Sequence, residues 1–196
     1  MLTIAVLFGF LLDWLAVALD WRKIKPFSKV LAMLLVILWT LTKTSWGFNH
    51  FVWVLLLAQL FGLAGDIFLL FSERWFLSGL GAFLVGHLFY IGLIGLSLTP
   101  YPGGEISTKP LLIPLIIAGL LWAGVLWMIY RIFKREYFFK RRSGKLMWSL
   151  VQVYIWTLSG LTVLTFFRIM VQPEVNVINI LLPVGGVLFL ISDSVL

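Results

Sequence analysis

Four ionisable side chains lie within long apolar stretches of the sequence: Asp13, Asp66, His87 and Asp193. A charged side chain in the hydrocarbon of a bilayer costs about +2.5 to 3.5 kcal/mol on insertion scales, so such residues are functional candidates. Carboxylic acids and histidine are also common proton donors and acceptors in catalysis. These residue types therefore predict proton chemistry or coupled transport at membrane depth.

The composition is that of a chain that resides in a lipid bilayer. Of its 196 residues, 62% are hydrophobic and 12% are charged, and the mean hydropathy is +1.07. Ordinary soluble domains contain about 25% charged residues. We therefore predict one transmembrane helical domain over residues 1–196, with no separate soluble domain. Cysteine is absent, which excludes disulfides, thiolate metal ligands and a cysteine nucleophile.

The hydropathy pattern predicts an all-α, polytopic bundle of seven transmembrane helices, because a span takes about 20 apolar residues. No basic region or cleavage site of a signal peptide precedes the first apolar run, so we expect that run to be retained as a helix. The seven predicted segments are Leu2 to Leu19, Pro26 to Thr42, Phe51 to Phe71, Trp75 to Leu98, Leu111 to Tyr130, Leu146 to Phe167 and Val177 to Leu196.

The basic residues predict how the chain is oriented. Loops one, three and five, together with Lys29 in the first turn of predicted helix two, carry twelve Lys and Arg residues, against three on the other side. The positive-inside rule then puts the amino terminus outside and the basic loops in the cytoplasm, in what we expect to be a bacterial-type plasma membrane. The net charge of +7 is clustered in these loops, which favours topogenic charge over nucleic-acid binding. The run from Arg131 to Lys145 either serves topology alone or also attracts anionic membrane lipids.

Two of the aspartates are predicted to lie at a similar depth. In this orientation helices three and seven both run inwards, and Asp66 and Asp193 lie near their cytoplasmic ends. Each follows a small residue, Gly65 or Ser192, which allows a close approach by a neighbouring helix or a substrate. We interpret Asp66 and Asp193 as a functional pair. Asp13 is expected to make a structural contact between helices, with a cytoplasmic lysine as one possible partner.

His87 is predicted to lie deeper, about 18 Å of helical rise from the start of helix four. It either lines a functional cavity or is bonded to a backbone carbonyl as a structural histidine. The sequence has two histidines, so a site of three histidines is impossible and zinc would need His87 together with carboxylates. We expect no metal and no cofactor. A G-x-S-x-G nucleophile elbow is also absent from the sequence.

Several sequence blocks, in order along the chain, resemble the YhhN-like lysoplasmalogenase family of membrane hydrolases. The blocks are Lys25-Pro26 at the start of helix two, Gly65-Asp66-Ile67-Phe68-Leu69-Leu70 in helix three, FLSGLGAFLVGHLFY from Phe76 to Tyr90, and GVLFLISDSVL from Gly186 to Leu196. The family typically has an eighth helix after the last block, so the resemblance implies that this sequence, with seven helices, is missing the last one.

The resemblance implies hydrolysis of the vinyl-ether bond of a lysophospholipid, a lysoplasmalogen. The products are a fatty aldehyde and glycerophospho-ethanolamine or glycerophospho-choline. Asp66 and Asp193 correspond to the catalytic carboxylates. The expected substrate-binding residues are His87 and Tyr90, which share a face of helix four, Lys25 near the lipid phosphate, and Tyr154 as the equivalent of a family tyrosine. Lys25 either pairs with that phosphate or only extends to the interface as a topogenic charge.

Two carboxyl groups suit this chemistry. Vinyl-ether cleavage begins with protonation of the β-carbon, and water captures the resulting oxocarbenium ion, so the reaction needs an acid and a base. Glycoside hydrolysis passes through a related cation and also uses two carboxyl groups. One group of a close pair can stay protonated while the other is ionised. The titration then belongs to the pair, and the sequence assigns neither role to either residue.

Two other protein classes also place aspartates inside the membrane. A multi-helix transporter or carrier is the main alternative, although inverted repeats would be expected there. Here the two aspartate-bearing helices run parallel and four helices apart, which suggests direct duplication of a four-helix unit. An intramembrane aspartyl protease is the third interpretation, but its Gly-x-Gly-Asp signature is not met by Leu63-Ala64-Gly65-Asp66. The sequence predicts no oligomeric state.

Overall fold

The structure is a computed structural model that describes residues 2–21, 24–44, 47, 49–71, 73–97, 112–133, 142–171 and 177–194. Within these residues the chain is helical and has no strand. The elements are α1 (Leu2–Ala18), α2 (Lys25–Lys43), α3 (His50–Leu70), a 3-10 turn (Glu73–Trp75), α4 (Phe76–Ser97), α5 (Leu112–Phe133), α6 (Arg142–Val171) and α7 (Val177–Ser194). The predicted all-α fold with seven helical segments is confirmed.

Local sequence signals explain where the first three helices begin and end. At the end of α1 the backbone N–H of Trp21 bonds to the carbonyl of Ala16 and that of Asp20 to Val17. These two hydrogen bonds together form a Schellman motif, and Asp20 has the left-handed φ of 48° that the motif requires. A proline in the first turn opens α2. Asn49 caps α3, because its Oδ1 accepts a hydrogen bond of 2.9 Å from the N–H of Val52.

Residues 1–90 form the first of two compact units. Helices α1 and α2 lie antiparallel, and Trp39 Nε1 donates a hydrogen bond of 3.1 Å to Thr3 Oγ1 at one end of the pair. Small residues let these helices approach closely: a Cβ atom on Gly9 would lie 3.6 Å from the Cα of Ala32.

Helices α3 and α4 form the second antiparallel pair of this unit. A Cβ atom on Gly86 of α4 would lie 3.0 Å from the backbone oxygen of Ala58 on α3. The rings of Phe61 and Phe89 stack beside this contact, with centroids 5.7 Å apart. The register is therefore fixed by a small residue on one helix packing against the backbone of the other.

Residues 91–196 form the second unit, which contains α5, α6 and α7. Trp122 Nε1 on α5 donates a hydrogen bond of 2.9 Å to Ser159 Oγ on α6. Thr162 Oγ1 on α6 donates one of 3.2 Å to the carbonyl oxygen of Gly186 on α7. Pro183 lies inside α7, one turn before Gly186.

Many large apolar side chains lie on the outside of the described helices, and the buried positions hold both apolar and polar side chains. Trp14 is 69% exposed, whereas eight described polar or charged side chains are buried. These eight are Ser28, Thr40, Gln59, Asp66, His87, Ser159, Thr162 and Thr165. In the described residues, α3, most of α4 and residues 149–169 of α6 are long and apolar enough to cross a bilayer.

Candidate carboxylate site

The carboxyl group of Asp66 is buried between helices and contacts a lysine. Asp66 lies in the last turns of α3 and its side chain is 4% exposed, whereas that of Lys29 on α2 is 37% exposed. Lys29 Nζ lies 3.5 Å from Asp66 Oδ1. A buried carboxylate is costly unless a cation compensates its charge, so this contact explains how α3 can carry Asp66.

Asp13 belongs to the same end of the first unit. Its Oδ1 accepts a hydrogen bond of 2.8 Å from Ser28 Oγ, so α2 contacts one aspartate through Ser28 and another through the next residue, Lys29. The structure thus gives Asp13 the helix-to-helix contact that the sequence suggests. Its described hydrogen bond comes from a serine, whereas a lysine had been the suggested partner.

A second polar contact between α2 and α3 was not predicted from the sequence. Gln59 is 4% exposed, and its Nε2 donates a hydrogen bond of 2.8 Å to Thr40 Oγ1. Gln59 precedes Asp66 by seven residues, which is two helical turns, so both lie on the α2 side of α3. That spacing was the available signal in the sequence, but Gln59 carries no charge and is therefore not among the ionisable candidates.

His87 is buried at a deeper level than Asp66. Its side chain is 3% exposed and is hydrogen-bonded to the backbone of Phe83, one turn earlier on α4. The packing of Gly86 against Ala58 puts His87 at the level of Gln59, and Asp66 lies seven residues, or about 10 Å of rise, further along α3. The backbone bond fits the structural interpretation of His87. Its role in substrate binding, and that of the half-buried Tyr90, stay predictions.

In the second unit, α6 and α7 bring Tyr154 and Asp193 to a similar level. Tyr154 is buried on α6. The bond from Thr162 to Gly186 fixes the register, and seven residues further along α7 is Asp193, opposite the turn of α6 that follows Tyr154. The backbone of Asp193 belongs to α7, but its side chain lies outside the described part of the structure.

Several predicted site residues are therefore only partly placed. The backbone of Lys25 forms the first residue of α2, one turn before Lys29, and its side chain also lies outside the described part. The pairing of Asp66 with Asp193 stays a prediction. Among the described residues, no three His, Cys, Asp or Glu side chains are grouped closely enough to hold a metal ion.

The fold and the buried carboxylate define the chain as a multi-helix integral membrane protein with an ionisable site between its helices. Within that class, the chain matches the YhhN family over residues 24–196, from the residue before α2 to the last residue. The chain belongs to the YhhN family. No curated protein matches it, and no solved structure does.

Proposed function

We propose that this protein is a lysoplasmalogenase, which hydrolyses the vinyl-ether bond of a lysoplasmalogen within the membrane. The observation that carries the proposal is the buried carboxyl group of Asp66, beside Lys29, in a helix able to cross a bilayer. Membership of the YhhN family supports it, because the sequence resemblance implies this activity. The products are a fatty aldehyde and glycerophospho-ethanolamine or glycerophospho-choline.

The proposed reaction uses Asp66 and Asp193 as acid and base. The acid transfers its proton to the β-carbon of the vinyl ether, where a C–H bond forms as the double bond is lost. The other carboxylate stabilises the oxocarbenium ion and takes a proton from the water that attacks it. The bond between the hemiacetal carbon and the glycerol oxygen then breaks, and the glycerol oxygen takes up a proton. The hemiacetal hydroxyl releases its proton and becomes the carbonyl of the aldehyde. Both carboxyl groups return to their starting states.

Substrate binding is assigned to four further residues. His87 and Tyr90 orient the water or the hemiacetal, Lys25 pairs with the lipid phosphate, and Tyr154 contributes from α6. The lysophospholipid reaches these residues from the surrounding membrane lipids. The proposed location is a bacterial-type plasma membrane, with the basic loops in the cytoplasm.

The first experiment measures aldehyde release from a lysoplasmalogen by purified protein in detergent, using mass spectrometry. We expect wild type to release aldehyde, and Asp66→Asn and Asp193→Asn each to lose about 100-fold or more in kcat, the typical cost of removing a catalytic proton-transfer group. The matching ester-linked lysophospholipid is the control substrate, which should not be cleaved. No aldehyde from wild type would contradict the hydrolase and favour the transporter.

Isotope labels test the reaction itself. In D2O, the aldehyde should carry one deuterium on the carbon next to its carbonyl, because the acid's proton comes from solvent. In water labelled with 18O, the glycerophospho product should remain unlabelled, because the glycerol oxygen keeps its own bond. Label in that hydroxyl would mean that water attacks the glycerol carbon, and the oxocarbenium route would be wrong.

A further inference from the structure

We infer that Lys29 is a positioning residue that keeps Asp66 ionised, which makes Asp66 the base of the proposed reaction and leaves Asp193 as the acid. The inference rests on the proposed function. It goes further because the sequence assigns the acid and the base to neither aspartate.

The first argument is the local balance of charge around Asp66. From α2, Lys29 lies 3.5 Å from its carboxyl group. From α4, the uncharged ring of Phe83 packs against Gly65, the residue before Asp66. On α1, Asp13 accepts a hydrogen bond from the Oγ of Ser28, the residue before Lys29. The cation that faces Asp66 therefore favours the carboxylate, since an ion pair replaces the water that burial removes.

The second argument compares the α2–α3 pair of the first unit with the α6–α7 pair of the second. In each pair, one contact between the helices shows which residues lie at the same level. In the first unit a threonine of α2, Thr40, contacts α3 seven residues before Asp66. In the second unit a threonine of α6, Thr162, contacts α7 seven residues before Asp193. The two aspartates thus occupy corresponding positions, as the predicted direct duplication requires.

Lysine is present at only one of these corresponding positions. Lys29 lies eleven residues before Thr40, and the residue eleven before Thr162 is Val151. Valine carries no charge and cannot compensate a carboxylate. The two corresponding helix pairs therefore differ at the position from which an ammonium group contacts Asp66, and on this difference we assign the base to Asp66 and the acid to Asp193.

The first test is the activity of substitutions at Lys29. Lys29→Met should lower kcat by about 100-fold, as for loss of an electrostatic contact in an active site, with KM nearly unchanged. Lys29→Arg should restore most of the activity because it keeps the charge. The matched control is Lys43→Met at the opposite end of α2, where the ammonium lies 5.9 Å from the ring centre of Trp39; this variant should behave as wild type.

A transplanted charge tests the assignment of the acid. Val151→Lys should lower kcat because a cation at that position favours the ionised form of Asp193, whereas Val151→Met, of similar length and without charge, should keep most of the activity. Equal activity of these two variants would contradict Asp193 as the acid. If Lys29→Met raised KM and left kcat unchanged, Lys29 would bind the substrate phosphate and the inference would be wrong.

A measurement without substrate tests the ion pair separately. Thermal unfolding in detergent should show that Lys29→Met lowers the melting temperature and that adding Asp66→Asn restores much of the loss, because the neutral amide no longer needs a cation. Additive losses would overturn the ion pair. Absence of aldehyde from wild type, by contrast, would contradict the proposed function and, with it, the role of base.

Discussion

At the residue scale, three polar side chains of the first unit contact a neighbouring helix. Asp66 contacts Lys29, Asp13 accepts from Ser28, and Gln59 donates to Thr40. The burial of Asp66 could be predicted because a carboxyl group in an apolar helix must face other helices. Its partner could not, because Lys29 near a helix end is equally compatible with a side chain that extends to the interface.

Asp13 offers a test of which aspartates take part in the reaction. Asp13→Asn keeps an oxygen that can accept the hydrogen bond from Ser28, so we expect aldehyde release within about threefold of wild type, since a neutral hydrogen bond contributes about 1 kcal/mol. Asp13→Leu should lower thermal stability while the remaining folded protein stays active. If Asp13→Asn were as damaging as Asp66→Asn, Asp13 would belong to the catalytic pair.

At the element scale, each of the seven predicted segments corresponds to one helix, and the differences are at the ends. The largest is in α6, predicted from Leu146 to Phe167, which spans Arg142–Val171. Hydropathy marks the apolar part of a helix, whereas backbone hydrogen bonds continue into the charged turns at the interface. The close contacts between helices, such as that of Gly65 with Phe83, could not be predicted from the sequence because they depend on which helix faces pack together.

The contact of Gly65 predicts a steric effect next to the carboxylate. A Cβ atom on Gly65 would lie 2.7 Å from a ring carbon of Phe83, so Gly65→Ala must displace the ring or the helix. We expect the free energy of unfolding to fall by about 1–3 kcal/mol, as for other overpacked sites. Aldehyde release should fall as well, because Asp66 is the next residue.

Gly81→Ala on α4 is the matched control, since a Cβ atom there meets nothing within 4 Å. Alanine favours a helix over glycine by about 0.5–1 kcal/mol, so this variant should be as stable as wild type or slightly more so. Both variants are compared by thermal unfolding in the same detergent. If the two variants were equally stable, the ring of Phe83 would move without lowering the free energy of unfolding, and the steric prediction would be wrong.

At the scale of the whole molecule, the family, the helical fold and the membrane class follow from composition and ordered motifs. The single transmembrane domain over residues 1–196 and the orientation in the membrane stay predictions. The contacts within each unit test neither of them. The proposed catalytic pair also stays a prediction, because Asp66 belongs to the unit of residues 1–90 and Asp193 to the unit of residues 91–196.

The absence of cysteine makes the orientation directly measurable. Single cysteines are introduced as Gly104→Cys in loop four and Ser143→Cys near the basic run, and intact cells are treated with a membrane-impermeant maleimide. The positive-inside rule predicts labelling of Gly104→Cys from outside and of Ser143→Cys only after lysis. The opposite pattern would place the basic loops, and the carboxylate of Asp66 with them, on the outer side.

The pairing of Lys29 with Asp66 also has a consequence for how the chain enters the membrane during synthesis. Asp66 lies 37 residues after Lys29, so the chain contains the lysine before its countercharge has been synthesised. A lone lysine near the bilayer is costly, and α3 brings the anion that removes this cost. The smallest piece of the chain that contains both members of this ion pair is therefore the α2–α3 hairpin, and we expect α2 to be held more stably in the lipid once α3 has followed it.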